Sequence, residues 1–239
     1  MPDNRRHRGK HPRDDNLFAP LHLPTLRRAV AELSWLLSRG YSARSALKLV
    51  GDRHALQLRQ RTAVARCACS DEQRQLRRQR QLPTAALADE VLAVDGLNVL
   101  IIVESALSGG LLLRGRDGCF RDLASIHGTY RAVQETPSAA VLLGEVLCEL
   151  GCREVRWYLD RPVSNSGRLK TLLGETAAAA GWPWRIELCY NPDRLLAGGS
   201  APVASSDGWI IERCERWVDL VGEVLARRVP ERWALDLGG

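Results

Sequence analysis

No stretch of this chain reaches the roughly 18 consecutive apolar residues that a membrane-spanning helix needs. The N-terminus, Met-Pro-Asp-Asn-Arg-Arg-His-Arg, has no apolar leader core either, so a cytoplasmic protein without membrane association is expected. The chain carries no Gly-x-Gly-x-x-Gly after a strand and no P-loop, which disfavours a nucleotide-cofactor enzyme. Lysine is scarce, three residues against 31 arginines. The seven cysteines are an odd number without a secretion signal, and they read as reduced thiols rather than as a disulfide framework. Cys67, Cys69, Cys148 and Cys152 would hold zinc only if four thiolates met in space, and their spacing does not predict that. What is present is a chain of 239 residues, 45% hydrophobic, long enough to bury a proper core, so disorder throughout is excluded.

The net charge of +6 hides a segregation of sign. Up to Leu82 there are eighteen Lys and Arg against seven Asp and Glu; the remainder carries sixteen against twenty-one. A basic part suggests a polyanionic partner, most often nucleic acid, because cationic side chains release condensed counterions from phosphates. Residues 1–24, with Arg5, Arg6, Arg8, Lys10 and Arg13, read as a disordered basic arm. Residues 25–69 read as a module of three short helices, with Arg39-Gly40 ending the first and Ser42 capping the second. Such a module either contacts nucleic acid or serves packing and dimer contacts. On the first reading the contacts come from Arg44, Lys48, Arg53, Arg59, Arg61 and Arg66, joined by Arg77 and Arg78 of the polar stretch 70–83, which reads as a linker or solvated helix.

From residue 84 onward strands alternate with helices, which predicts an α/β domain with a parallel or mostly parallel sheet. A hairpin, Leu111–Arg114 with Cys119–Leu123, is inserted into it around Arg116-Asp117-Gly118. Val91–Val94 runs into Asp95, Glu154–Leu159 into Asp160, and Val203–Ser205 toward Asp207. The C-terminal ends of parallel strands share one edge of a sheet, so these carboxylates can converge. Together they stay ionised only beside a cation, and hard oxygen donors without histidine select Mg²⁺ or Mn²⁺. Two other readings stand beside this one. Asp95-Gly96 is also a hairpin signal, with Val99–Val103 as the second arm, and each Asp is also a helix cap. Asn98, Ser164, Asn165, Ser166, Ser205 and Ser206 can orient metal-bound water or touch phosphate, or simply cap. Glu104, a lone carboxylate in an apolar run, is either a fourth acidic ligand or a residue at a helix boundary. His127 is a weaker candidate for an acid or a substrate contact. Trp157, Trp182, Trp184, Trp209 and Trp217 alternate with apolar neighbours and are expected in the core rather than as base-stacking platforms.

Val-Asp-Gly-Leu-Asn at 94–98 and Ala-Ser-Ser-Asp-Gly-Trp-Ile-Ile at 204–211 resemble the first and last acidic motifs of the PIN and NYN nuclease superfamily. More closely, residues 39–53 and Tyr158-Leu-Asp-Arg-Pro-Val-Ser-Asn-Ser-Gly-Arg168 resemble domain-of-unknown-function family 434 with its C-terminal companion. The nuclease resemblance implies a PIN-like sheet over residues 84–239, metal held by Asp95, Asp160 and Asp207, and Asn98 in support. The family's helix-borne acid has no sure counterpart, since Glu104 comes early. The expectation is a metal-dependent nuclease acting on RNA, with a basic module that holds the nucleic acid. The alternatives are a non-catalytic nucleic-acid-binding or scaffold protein on the same fold, and a small-molecule phosphoesterase.

Overall fold

The computed structural model describes residues 7–123 and 130–239. Arg5, Arg6 and His127 lie outside the described residues. The N-terminal part contains α1 (Asp14–Leu17), α2 (Leu23–Leu37), α3 (Ala43–Arg53), α4 (Leu58–Cys67) and α5 (Asp71–Arg80). Pro24 sits in the first turn of α2, where its missing N–H costs nothing, and the Ser42 hydroxyl caps α3 by accepting from Ser45 N at 3.3 Å. Leu26, Val30, Ala46, Val50, Ala63 and Val64 close a core between α2, α3 and α4. The expected disordered arm is ordered from His7 on. Leu17 and Phe18 are buried in that core, and the buried Asp14 accepts from Arg59 Nη2 at 2.8 Å.

The stretch 70–83 is not a linker. Ser70 and Gln73 form a capping box, with Gln73 N donating to Ser70 Oγ at 3.1 Å and Ser70 N to Gln73 Oε1 at 2.9 Å. The helix they start, α5, is docked along its length. Trp217 Nε1 donates to Arg77 O at 2.7 Å, Arg80 Nη1 to Cys214 O at 2.9 Å, and Leu82 N to Trp217 O at 2.8 Å. The helical core also takes in Leu111, Leu113, Leu123 and Leu237, so it is continuous with the second half of the chain.

That second half runs β1 (Val91–Asp95), α6 (Gly96–Leu107), β2 (Leu112–Arg114), β3 (Phe120–Asp122), α7 (Thr136–Glu149), β4 (Glu154–Asp160), α8 (Ser166–Ala180) and β5 (Trp184–Cys189). It continues with α9 (Pro192–Gly198), β6 (Val203–Ala204), α10 (Gly208–Ile211), β7 (Trp217–Val218), α11 (Leu220–Arg228) and β8 (Ala234–Asp236). Five strands form a sheet in the order β5-β4-β1-β6-β7, every neighbouring pair parallel. β2 and β3 form the expected antiparallel hairpin, and β8 adds to β2 in parallel. Leu92, Val94, Val155, Trp157 and Leu159 turn one face of the large sheet toward α6, α7, α8 and α11. Ala93, Val203 and Trp217 meet Leu196 of α9 and Ile210 and Ile211 of α10 on the other. Pro192–Gly198 is helical, and Trp217–Val218 pairs with β6 before α11 begins.

Asp95-Gly96 is a strand-to-helix junction, not a hairpin. The apolar run after it, rich in β-branched residues, forms α6, buried from Val99 through Ala106 on every side; a helix apolar all round belongs inside a fold. Gly96 is required by close approach, because a Cβ there would sit 2.6 Å from Leu159 Cδ2 and 3.0 Å from Tyr158 O. Gly96→Ala is therefore expected to destabilise the fold by about 1–3 kcal/mol through overpacking. Urea unfolding monitored by circular dichroism checks this: the midpoint should fall with little change in slope. Among the described residues no helix is long and apolar enough to cross a membrane.

Candidate active site

In the order β5-β4-β1-β6-β7 the chain moves outward from β1 through β4 to β5, then returns to the other side of β1 to lay down β6 and β7. The crevice outside the C-terminal ends of β1 and β6 is thus a topological switch point, where open α/β sheets bind ligands. Asp95 ends β1 there, and residues 205–208 follow β6. The Ser205 hydroxyl joins the two ends: it donates to Asp95 Oδ2 at 2.7 Å and accepts from Asp207 N at 3.0 Å. Ser206 N donates to Asn98 Oδ1 at 2.8 Å. The Asp207 carboxylate caps α10, accepting from Trp209 N at 2.7 Å, so for this residue the capping reading holds.

Asp95 is buried, and burial pushes its carboxyl up to about 7 against the pull of the Ser205 hydroxyl. The charges of Asp207 and Asp193 push the same way. Burial also raises Asp193, with Asp207 and Asp160 adding to the effect. Four acids therefore feel one another along this edge, although no three described His, Cys, Asp or Glu side chains form a group that could hold a metal ion. Asp193 was missed in the sequence. Its signal was Asn191-Pro192-Asp193, a helix start with Pro in the first turn and an acid beside it.

In front of this edge lies a cleft of about 480 Å³. It is lined by Asn98, Ile101 and Ile102 of α6, by Ser206, Asp207 and Trp209, and by Arg66 of α4, Arg77 of α5 and Arg121 of β3. Arg77 and Arg121 are held by Asp117 at the tip of the hairpin. Asp117 accepts from Arg121 Nη1 at 2.8 Å and Nη2 at 2.6 Å, and from Arg77, whose Nε reaches Glu212 at 3.0 Å. Burial would raise the Asp117 carboxyl, but Arg121 and then Arg77 outweigh it and hold it at about 2. Arg121 Nε donates to Ser206 O at 2.9 Å, and Arg77 lies against Gly208, where a Cβ would come 2.5 Å from its Nη2. The loop that carries Ser205 to Gly208 is thus braced from the N-terminal helices and the hairpin.

Other expected residues go elsewhere. Glu104 is fully buried; Arg8 pairs with it, and Tyr130 and Thr136 donate to its Oε1 at 2.5 and 2.6 Å. With those partners it anchors the N-terminal segment, which explains how a lone carboxylate survives in an apolar helix. Ser164, Asn165 and Ser166 build the turn after β4. Ser164 O accepts from Tyr130 N at 3.1 Å, Asn165 Nδ2 donates to Tyr130 O at 2.8 Å, and Ser166 Oγ donates to Asp160 O at 2.8 Å. Of the cations expected on nucleic acid, Arg59, Arg66 and Arg77 turn inward to Asp14, Asp122 and Asp117. Lys48 and Arg61 pair with Asp52, and Arg53 with Glu32; Arg44 and Arg78 are exposed. All seven cysteines are free thiols.

A family model described as a domain of unknown function, DUF5616, matches residues 84–223, more than half of the chain. The chain belongs to the DUF5616 family. A second model, for a protein of unknown function, DUF434, matches residues 25–80. An uncharacterised protein of Methanocaldococcus jannaschii is 28% identical over 203 residues, which cover 84% of this chain and 97% of that protein. No solved structure matches. The DUF5616 segment supplies the large sheet and the acidic edge, the DUF434 segment supplies α4 and α5, and the cleft lies where the two meet.

Proposed function

We propose that the cleft binds nucleic acid, RNA in the first instance, and hydrolyses phosphodiester bonds with a divalent cation, Mg²⁺ or Mn²⁺. The observation that carries this reading is Asp95: a buried carboxyl at the switch point, held near 7 and facing the field of further acids. A buried acid among acids is costly to the fold and is characteristic of a site that takes a cation or moves a proton. The donor chemistry fits a hard ion, and Mg²⁺ in particular needs only one or two carboxylates, with phosphate and water completing its shell. Asp95 and Asp207, linked through Ser205, are the residues that would hold it. Such an ion, when bound, neutralises the acidic edge and polarises the scissile phosphate. The chain's own part is positional: Ser205 fixes the Asp95 rotamer, Ser206 fixes Asn98, and the Arg77–Asp117–Arg121 brace fixes the loop carrying Asp207. The motif resemblance to PIN and NYN nucleases supports the same reading.

The test is cleavage of end-labelled RNA and single-stranded DNA with Mn²⁺ or Mg²⁺. The wild-type protein should cut, and Asp95→Asn should slow cleavage on the order of 100-fold, as loss of one electrostatic element of a site does. Intact substrate with the wild-type protein, or equal cleavage by the variant, contradicts the proposal. The second reading, a non-catalytic nucleic-acid-binding or scaffold protein, is favoured by the lack of a three-carboxylate grip among the described residues. It predicts salt-sensitive binding that survives substitution of Asp95, Asp160 and Asp207 together.

A further inference from the structure

Trp209 departs from the pattern of the other tryptophans in this half of the chain. Trp157 and Trp217 are fully buried and Trp182 stacks on Trp184 at 5.2 Å, whereas Trp209 is 43% exposed on the wall of the cleft. An indole left in water forgoes the burial that its area would contribute, so its placement calls for another reason. Trp209 has two defined contacts. Its backbone N–H is fixed by the Asp207 cap, and the Arg213 guanidinium lies 4.4 Å from the ring centroid. One guanidinium covers one face of an indole, and the ring also lines the cleft together with the apolar pair Ile101 and Ile102. At the polar end stands Asn98. Its Oδ1 is taken by Ser206 N–H, which leaves the Nδ2 hydrogens for a ligand.

We infer that Trp209 is the platform on which one unpaired base of the substrate stacks, with Asn98 Nδ2 donating to the base edge. This rests on the nucleic-acid reading of the same cleft and adds the group that selects the substrate. A base can lie flat on an indole only when it is out of a duplex, and base–aromatic stacking tolerates any base. Trp209 is two residues from Asp207, so the sugar-phosphate of the stacked nucleotide runs along the acidic edge.

The experiment is fluorescence anisotropy with fluorescein-labelled 12-mers in EDTA, where no metal-dependent cleavage interferes. The probes are oligo(U) RNA, the same backbone with abasic ribose, and an RNA duplex. The wild-type protein is expected to bind oligo(U) about 10-fold more tightly than the abasic strand or the duplex. Trp209→Ala should lose that margin while binding the abasic strand as the wild type does, and Trp209→Phe should keep most of it. Equal affinity of the wild type for oligo(U) and abasic strands, no binding of any probe, or a Trp209→Ala protein indistinguishable from wild type overturns the inference. If the stacking margin is present but no RNA is cut with Mn²⁺, the hydrolase reading fails and this one stands.

Discussion

Asp117→Ala is expected to lower the free energy of unfolding by about 3–5 kcal/mol, the usual cost of removing one partner from a buried ion pair. The side chain is nearly inaccessible and accepts from both Arg77 and Arg121, themselves almost buried. Its removal strands two guanidinium groups inside the protein, of which only Arg77 keeps a second carboxylate, Glu212. The Arg121 contact to Ser206 and the packing of Arg77 on Gly208 depend on the same hub, so the site loop should loosen with it. Acid should reveal the interaction independently. The carboxyl titrates at about 2 in the folded state against 3.8 as its ordinary value, so its contribution is full above about pH 4 and is lost as pH falls toward 2. Urea titrations at pH 7 and pH 3 check both points. The gap between wild type and Asp117→Ala should be wide at pH 7 and narrower at pH 3.

Asp95→Asn should do the opposite. In the absence of divalent ions the Asp95 carboxyl titrates at about 7 when folded and near 3.8 when unfolded, so between these values the folded state holds the extra proton. Stability from this group accordingly falls as pH rises from about 4 to about 7, and above 7 the penalty is complete. Three pKa units correspond to about 4 kcal/mol at 1.36 kcal/mol each, and relaxation around a charged group makes about 2–4 kcal/mol the expected gain for Asp95→Asn at pH 8. At pH 4 wild type and variant should unfold alike. A residue whose removal stabilises the fold while abolishing activity marks a functional site. Thermal unfolding in EDTA at the two pH values is the check.

How much of this was legible in the sequence depended on whether a residue's job was local. Strand tips at Asp95 and Asp160, the hairpin around Asp117 and the three-helix pattern of residues 25–69 are written in short-range periodicity and turn chemistry, and all are present, whereas Asp207 lies three residues beyond its strand as a helix cap. The nature of α6 was not legible. Val99, Ile101, Ile102 and Val103 favour strand by propensity, and only burial on every side makes them helical. The capping box at Ser70 and Gln73 was a readable start signal, but the helix behind it is so polar that nothing in its own sequence announces the docking of Arg77. The ion pairs of the cationic residues depend on long-range partners. Positive sign accumulates before Leu82, yet Arg66 and Arg77 face carboxylates supplied by Asp122, Asp117 and Glu212 beyond that point, and Arg8 faces Glu104. Segregation along the chain is not segregation in space. Glu104 likewise needed Arg8, Tyr130 and Thr136, distant in sequence, to explain it.

The proposed site turns on one carboxyl that burial, with the charges of Asp207 and Asp193 added, raises to about 7. Carbon-13 NMR of the aspartate side chains, assigned by comparison with Asp95→Asn, reads it directly. Asp95 should titrate near 7 in EDTA, and saturating Mg²⁺ should carry its midpoint well below that value. A midpoint near the ordinary aspartate value in EDTA, or one that Mg²⁺ leaves unmoved, would contradict the proposal.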